Sequence, residues 1–348
     1  MKILITTVQV PFIRGGAEIL AEGLRDALRS EGHEAEIVAI PFKWYPPERI
    51  PEQILACRLL DITESTGMTV DRAIGLKFPA YFIPHPNKVL WMVHQHRQAY
   101  DLWDNTLSDL VGFPNGCQIR GAIREADTRL LPEAKKIFTI SRNVSRRLKH
   151  YCGIDSTPLY NPPQHVEHFY YAAAEDYFFF PSRVTATKRQ SLVLEALAET
   201  RTSVRVRFAG PVDHPAYGEA LKRQAKSLKV HDRVEWLGPV TEEEKRRQYA
   251  RALGVIFPPI NEDYGYVTLE AMLSSKPVIT CVDSGGPLEF VRTNETGLVT
   301  ESTAKALAAA MDTLWKNRAQ AQAMGQAGRA HYDRHKISWH EVVARLLS

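Results

Sequence analysis

The order of elements along the chain restricts the fold more than any single motif does. KILITT reads as a strand, VQVPFIRGG as a glycine-bearing loop, and AEILAEGLRDALRSEGH as a helix whose Ile19, Leu20, Leu24, Ala27 and Leu28 recur at helical spacing. Gly32 marks the helix stop, and a second strand, EAEIVAI, follows directly. Strand, loop, helix, strand is the unit of parallel, doubly wound sheets. Further strands are expected at PAYFIP, KVLWMVH and KIFTI, with helices near residues 51–60, 116–131 and 142–150. The rhythm breaks at PLYNPPQHVEHFYYAAAED, which reads as a linker. It then restarts with strand DYFFFPSR, helix 188–199, strand SVRVRFAG, helix 215–228, strand RVEWLG, helix 241–251 and strand GVIFPP. A helix near 267–274, strand KPVIT and a short GLVTE strand complete this second series, and helices run from about Ser302 to Ser348. Two separate series predict two Rossmann-like α/β domains facing each other across a cleft.

Composition agrees with that count. At roughly 150 residues per domain, 348 residues give about 2.3 domains. The 44% hydrophobic and 24% charged content is that of an ordinary globular chain. A net charge of +4 argues against a nucleic-acid partner. From Arg120 to Lys149, however, nine Lys or Arg stand against three acidic residues, a footing for anionic lipid headgroups or a phosphorylated acceptor if it is more than a solvated helix face. Cys57, Cys117, Cys152 and Cys281 are scattered, without disulfide or zinc spacing. The opening lacks the apolar core and cleavage site of a signal peptide, and no apolar run reaches about 18–20 residues. The expected setting is cytoplasmic, with any membrane contact peripheral and at the inner face of the plasma membrane.

The densest chemistry lies in NEDYGYVTLEAM, immediately after GVIFPP. Glu262 and Glu270 are eight positions apart, one on a loop and one on the following helix, so both frame a strand end. Gly265 sits where loop becomes helix, and the amides of Tyr266, Val267 and Thr268 are expected there as donors for a phosphate. Glu270, one turn in, is placed to accept both hydroxyls of a ribose. Taken alone, Glu262 reads better as helix-start charge and Glu270 as a surface helix residue; the strand, the glycine and both carboxylates together favour a site. Arg183 and Lys188 follow strand DYFFFPSR, so both cations project from another strand end. A forked guanidinium beside a compact ammonium suits a diphosphate leaving group whose charge grows as its bond to the sugar breaks.

NEDYGYVTLEAM, followed by DSGGPLEFV and the GLV strand, resembles the E-x7-E signature of the retaining glycosyltransferases of family 4, which have the GT-B fold. GGAE, VHQH, FPSRVTATKRQSLVLEAL and the AGP turn match in the expected order, so the resemblance covers nearly the whole chain. It implies that Glu262 and Glu270 contact the donor sugar and the nucleotide ribose, that the backbone between them cradles the pyrophosphate, and that Arg183 and Lys188 hold the leaving diphosphate. It implies that Gly15 and Gly16 face the donor phosphates, although a bare Gly-Gly is equally a tight turn. His94, directly after VLWMV, is the better placed of the pair His94 and His96 to touch the donor sugar. Arg97 beside them is placed to meet an anionic group. Gly210 and Pro211 would border the nucleotide base, or serve as turn residues only. Gly285 and Gly286 would shape the sugar pocket, or pack a helix start.

The expected reaction transfers a sugar from a nucleoside-diphosphate donor to a hydroxyl with the anomeric configuration kept. The leaving phosphate takes the acceptor proton, and no metal or other cofactor is expected. The acceptor is expected to be a glycan or lipid-linked oligosaccharide in polysaccharide or glycolipid synthesis. Residues 1–165 would form the acceptor-side domain and 166–336 the nucleotide-sugar domain, with a C-terminal helix, 337–348, crossing back to the first. A GT-B sugar-nucleotide epimerase or phosphorylase, or a non-catalytic sugar-nucleotide-binding partner subunit, are the alternatives. A dinucleotide dehydrogenase is disfavoured by the lack of GxGxxG. Donor identity and oligomeric state are left open.

Overall fold

The computed structural model describes residues 1–12, 15–105 and 107–348; Ile13 and Arg14 of the first loop, and Thr106, lie outside the described residues. The chain divides into two compact units, Met1–Gln164 with Ile337–Ser348, and His165–Lys336.

The first unit runs β1 (Lys2–Gln9), α1 (Gly16–Ser30), β2 (Glu34–Pro41), α2 (Arg49–Leu59), a two-residue hairpin β3 (Glu64–Ser65) and β4 (Met68–Thr69), β5 (Arg72–Lys77), β6 (Lys88–His94), α3 (Gly116–Leu130), β7 (Lys136–Thr139), α4 (Arg142–Cys152) and β8 (Thr157–Pro158). Its parallel sheet has the order β2-β1-β5-β6-β7-β8. Strand β5 corrects the sequence reading, which placed a strand at PAYFIP. Those residues form a 3-10 turn over Ala80–Phe82 instead. Pro79 and Pro84 lack the amide that a central ladder needs. The true strand, RAIGLK, is buried throughout Ala73–Leu76 and so shows no alternation. Its Gly75 lets Leu90 and Tyr81 close over the backbone.

The second unit runs β9 (Phe178–Pro181), α5 (Gln190–Glu199), β10 (Val206–Ala209), α6 (Pro215–Ser227), β11 (Val234–Gly238), α7 (Glu242–Arg251), β12 (Gly254–Ile256), α8 (Tyr266–Leu273), β13 (Val278–Cys281), β14 (Gly297–Thr300), α9 (Ala304–Lys316) and α10 (Arg318–His335). The sheet order is β11-β10-β9-β12-β13-β14, all parallel. Counted within the unit this is 3-2-1-4-5-6, the order of dinucleotide-binding sheets. Phe178, Phe180, Phe208, Ile256 and Ile279 pack there against Leu194, Leu197 and Leu307 of the covering helices. The helix expected from Lys188 begins at Gln190, because Ala186–Lys188 is a 3-10 turn and Arg189 is left-handed, with φ +60°.

The last helix, α11 (Trp339–Leu347), belongs to the first unit. Ser338 caps it, and Val342, Val343 and Leu346 are buried. Trp339 meets Trp91 edge to face at 6.2 Å, and the Arg72 guanidinium donates to the Leu346 carbonyl at 2.6 Å.

Candidate functional site

In an open parallel sheet, ligands collect outside the carboxyl ends of the strands where the strand order reverses. In the second unit that reversal lies between β9 and β12, whose order runs one way to β10 and the other way to β13. Arg183 and Lys188 follow β9; Glu262, Gly265 and Glu270 follow β12. The loops there are tied to one another. Ile260 N–H donates to the Thr187 carbonyl at 2.8 Å, Asn261 N–H to Asp283 at 2.9 Å, and Glu262 N–H to Ser284 at 2.9 Å. Gly286 N–H returns a bond to the Glu262 carbonyl at 2.8 Å, so the Gly285–Gly286 pair anchors the acidic loop.

Charges at these strand ends meet in pairs. Lys188 Nζ contacts Glu262 Oε2 and also lies 5.4 Å from the Phe257 ring centre. Arg183 Nη1 is 3.1 Å from Asp213 Oδ2, but its side chain is 49% exposed against 15% for Lys188. Solvent weakens the Arg183–Asp213 pair much more than the Lys188–Glu262 pair. Glu270 is almost fully buried; its Oε1 is 3.1 Å from Lys245 Nζ and its Oε2 accepts from Tyr249 Oη at 2.7 Å. Burial by itself lowers the Lys245 pKa, but the Glu270 and Glu242 carboxylates outweigh it and the net direction is up. Burial, then Glu270, pushes the Tyr249 phenol well up. Both groups therefore keep their protons and donate to Glu270.

Gly265 has φ +85°, and a Cβ there would stand 3.0 Å from Pro287, so the entry into α8 requires glycine on both counts. Of the three amides expected to be available at this helix start, that of Thr268 is already used, bonding to the Gly265 carbonyl at 2.9 Å; Tyr266 and Val267 precede it in the first turn. Gly210, φ +144°, has no room for a Cβ, which would lie 2.2 Å from the Ser182 carbonyl. The carbonyl of its neighbour Pro211 accepts from Val184 N–H at 2.8 Å, so this turn buttresses the Arg183 loop.

In the first unit, the Gly15 amide donates to the Glu18 carboxylate at 2.8 Å, and Glu18 lies 3.8 Å from Lys77. Gly15 is extended, a Cβ would fit, and Gly16 is the first residue of α1. A carboxylate thus occupies the Gly15 donor expected for phosphate. His94 ends β6, opposite Lys77, with Nδ1 2.5 Å from the Gln95 carbonyl. Because a carbonyl only accepts, that contact makes Nδ1 a donor. His96 packs between Phe42 and Phe78, and burial, with His94 adding a little, lowers its pKa to about 4. Arg97 pairs with Asp101 at 2.6 Å.

Residues 171–331 match the family model for glycosyl transferases group 1. They are a group 1 glycosyltransferase domain. The chain is 33% identical over 111 residues to the alpha-1,3/1,6-mannosyltransferase ALG2 of Dictyostelium discoideum, across 32% of this chain and 26% of that protein. It is 29% identical over 184 residues to the D-rhamnosyltransferase WbpZ of Pseudomonas aeruginosa, across 52% of this chain and 47% of that protein. The alignments thus span about a quarter to a half of the length of these curated relatives. The sucrose-phosphate synthase of Thermosynechococcus elongatus has a similar structure, with a TM-score of 0.78 at 17% identity, covering 99% of this chain and 97% of that one. The fold is GT-B.

The group 1 domain also contains partners that sequence reasoning missed. Lys245 and Tyr249 lie four apart on α7, so they share a helix face, and that spacing was the available signal. Arg189 forms a two-pronged pair with Asp283, at 2.7 Å for Nη1–Oδ1 and 2.5 Å for Nη2–Oδ2, linking the loops after β9 and β13. No local pattern marks that pair, since 94 residues separate its members.

Proposed function

We propose that the chain is a retaining glycosyltransferase of family 4 type, moving a sugar from a nucleoside-diphosphate donor to a hydroxyl of a glycan or lipid-linked acceptor. The observation that carries the reading is the pairing of Lys188 with Glu262 across one sheet-order reversal, with Glu270 on the following helix held by Lys245 and Tyr249. Glu270, with an oxygen directed by each partner, accepts the ribose diol. Lys188 and Arg183 exchange part of their carboxylate contacts for the diphosphate as its charge develops. Lys188, largely buried and held by Glu262 before reaction, stabilises the leaving group with little reorganisation. His94, at the end of β6, touches the donor sugar. In a same-face mechanism the leaving phosphate oxygen takes the acceptor proton, so the side chains supply position and charge and no covalent intermediate is required.

Mannosyl- and rhamnosyltransferase relatives favour a hexose as the transferred sugar. The basic stretch on α3 and α4 favours an anionic or membrane-borne acceptor. No described helix is long and apolar enough to cross a membrane. The test is a thermal-shift panel of nucleoside diphosphates and their sugars, in which one donor series should raise the melting temperature of the full chain. That donor should then support transfer with retained configuration, with turnover unchanged by a chelator. Binding without turnover on any acceptor panel would favour the non-catalytic partner subunit.

A further inference from the structure

Outside the strand-end site, His165, Glu167 and His168 bring three ligand-type side chains together. They occupy the 3-10 turn Val166–His168 and the residue before it, at the start of the second unit. His165 is left-handed, with φ +53° and ψ +48°, and its ring stacks on that of His168 with centroids 5.3 Å apart and planes 10° from parallel. Glu167 Oε1 lies 3.7 Å from His165 Nδ1 and 3.5 Å from His168 Nε2. All three ligand atoms lie within 4.8 Å of one another. The two His–Glu separations exceed the ~2.7–3.2 Å of a good hydrogen bond. They approach the ligand-to-ligand edge of a coordination tetrahedron, roughly 3.3–3.5 Å for bonds of about 2.0–2.1 Å.

We propose that His165, Glu167 and His168 form a surface site for a divalent transition metal of the Zn2+ class. Two imidazoles and one carboxylate suit zinc, copper or nickel, whereas magnesium and calcium take oxygen ligands. The three side chains are each more than half exposed, which leaves the remaining coordination position to water or to a ligand from outside the chain. Stacked rings cannot both aim an in-plane lone pair at one ion, so binding turns one imidazole about its side-chain torsions, which its exposure allows. None of this depends on the transferase reading, because no residue of the turn belongs to the strand-end site.

The test is calorimetric titration of ZnCl2 into the chelator-treated full chain, repeated with His168→Gln, Glu167→Gln and His165→Asn. Asparagine tolerates the left-handed backbone, so the last variant removes the imidazole while keeping the turn. One saturable Zn2+ per chain is expected to disappear in the histidine variants and to weaken at least about tenfold in Glu167→Gln. Circular dichroism should be unchanged in all three. Absence of saturable binding, binding that survives loss of both histidines, or equal binding of Mg2+ would each overturn the proposal.

Discussion

Each unit has a six-stranded parallel sheet of its own, and the two finish their strand ends differently. In the second, the ends of β9, β12 and β13 carry interlocked ions: Lys188 with Glu262, Arg189 with Asp283, and Lys245 with Glu270 beside the Tyr249 hydroxyl. In the first, aromatic packing and a buried carboxylate stand beside the ion pairs of Glu18 with Lys77 and Arg97 with Asp101. His96 lies between Phe42 and Phe78. On α3 the fully buried Asp127 accepts from Tyr81 at 2.8 Å, Tyr100 at 2.6 Å and Gln95 at 2.9 Å. One unit sets its strand-end charges against one another in pairs between loops; the other also buries a carboxylate among hydroxyl and amide donors. The same topology therefore does not specify the ligand.

The sharpest way to break this contrast is at Lys188. Lys188→Ala should lower kcat by about 10²–10³-fold, the equivalent of about 3–4 kcal/mol of leaving-group stabilisation, with circular dichroism unchanged. Near-normal turnover would remove the second unit's cations from the chemistry. Next, Glu270→Ala should weaken nucleotide affinity by about ten- to a hundred-fold, the range for a lost charged hydrogen bond of roughly 1.5–3 kcal/mol. Lys245→Met should weaken it less, since Tyr249 still directs the carboxylate; calorimetry with the nucleoside diphosphate chosen by the panel decides both.

The first unit is sharpened by pH. His96, held near 4 by burial, stays neutral in the fold while the unfolded chain binds a proton below about 6.5, so it loses stability as pH falls through that window. Asp127 has the opposite sign: burial raises it to about 6 against its hydrogen bonds, so the fold binds a proton that the unfolded chain takes only near 4. Between about pH 6 and 4 the two offset. Asp127→Asn should steepen the acid loss of stability by about 1.4 kcal/mol per pH unit, and His96→Leu should reverse its sign, both read from urea midpoints. Parallel curves for wild type and variants would show that the buried network does not titrate. The smallest effect belongs to the exposed pair: Asp213→Asn should shift stability by less than about 1 kcal/mol.

Legibility followed the same division. NEDYGYVTLEAM put a glycine turn and two carboxylates at one strand end in a single string, because loop and helix there are continuous in sequence. The helix starts were also local, as with Thr241, whose hydroxyl caps α7 at residue 244. Strand β5 was missed because a strand buried on both faces has no period of two, and PAYFIP was misread because aromatic content outweighed its prolines. The occupied Gly15 amide was missed because Glu18 folds back onto it, a rotamer choice invisible in a Gly-Gly pair.

The sequence by itself determined two parallel α/β sheets and the acidic string after GVIFPP, since hydrophobic period, turn residues and helix starts act over only a few neighbours. Tertiary structure decided which charges meet. Lys188 and Glu262 are 74 residues apart, and Lys245 and Glu270 are 25 apart. The first pair forms where a crossover sets two strand ends side by side, the second where the helices before and after β12 meet, and partial burial makes both pairings strong enough to hold.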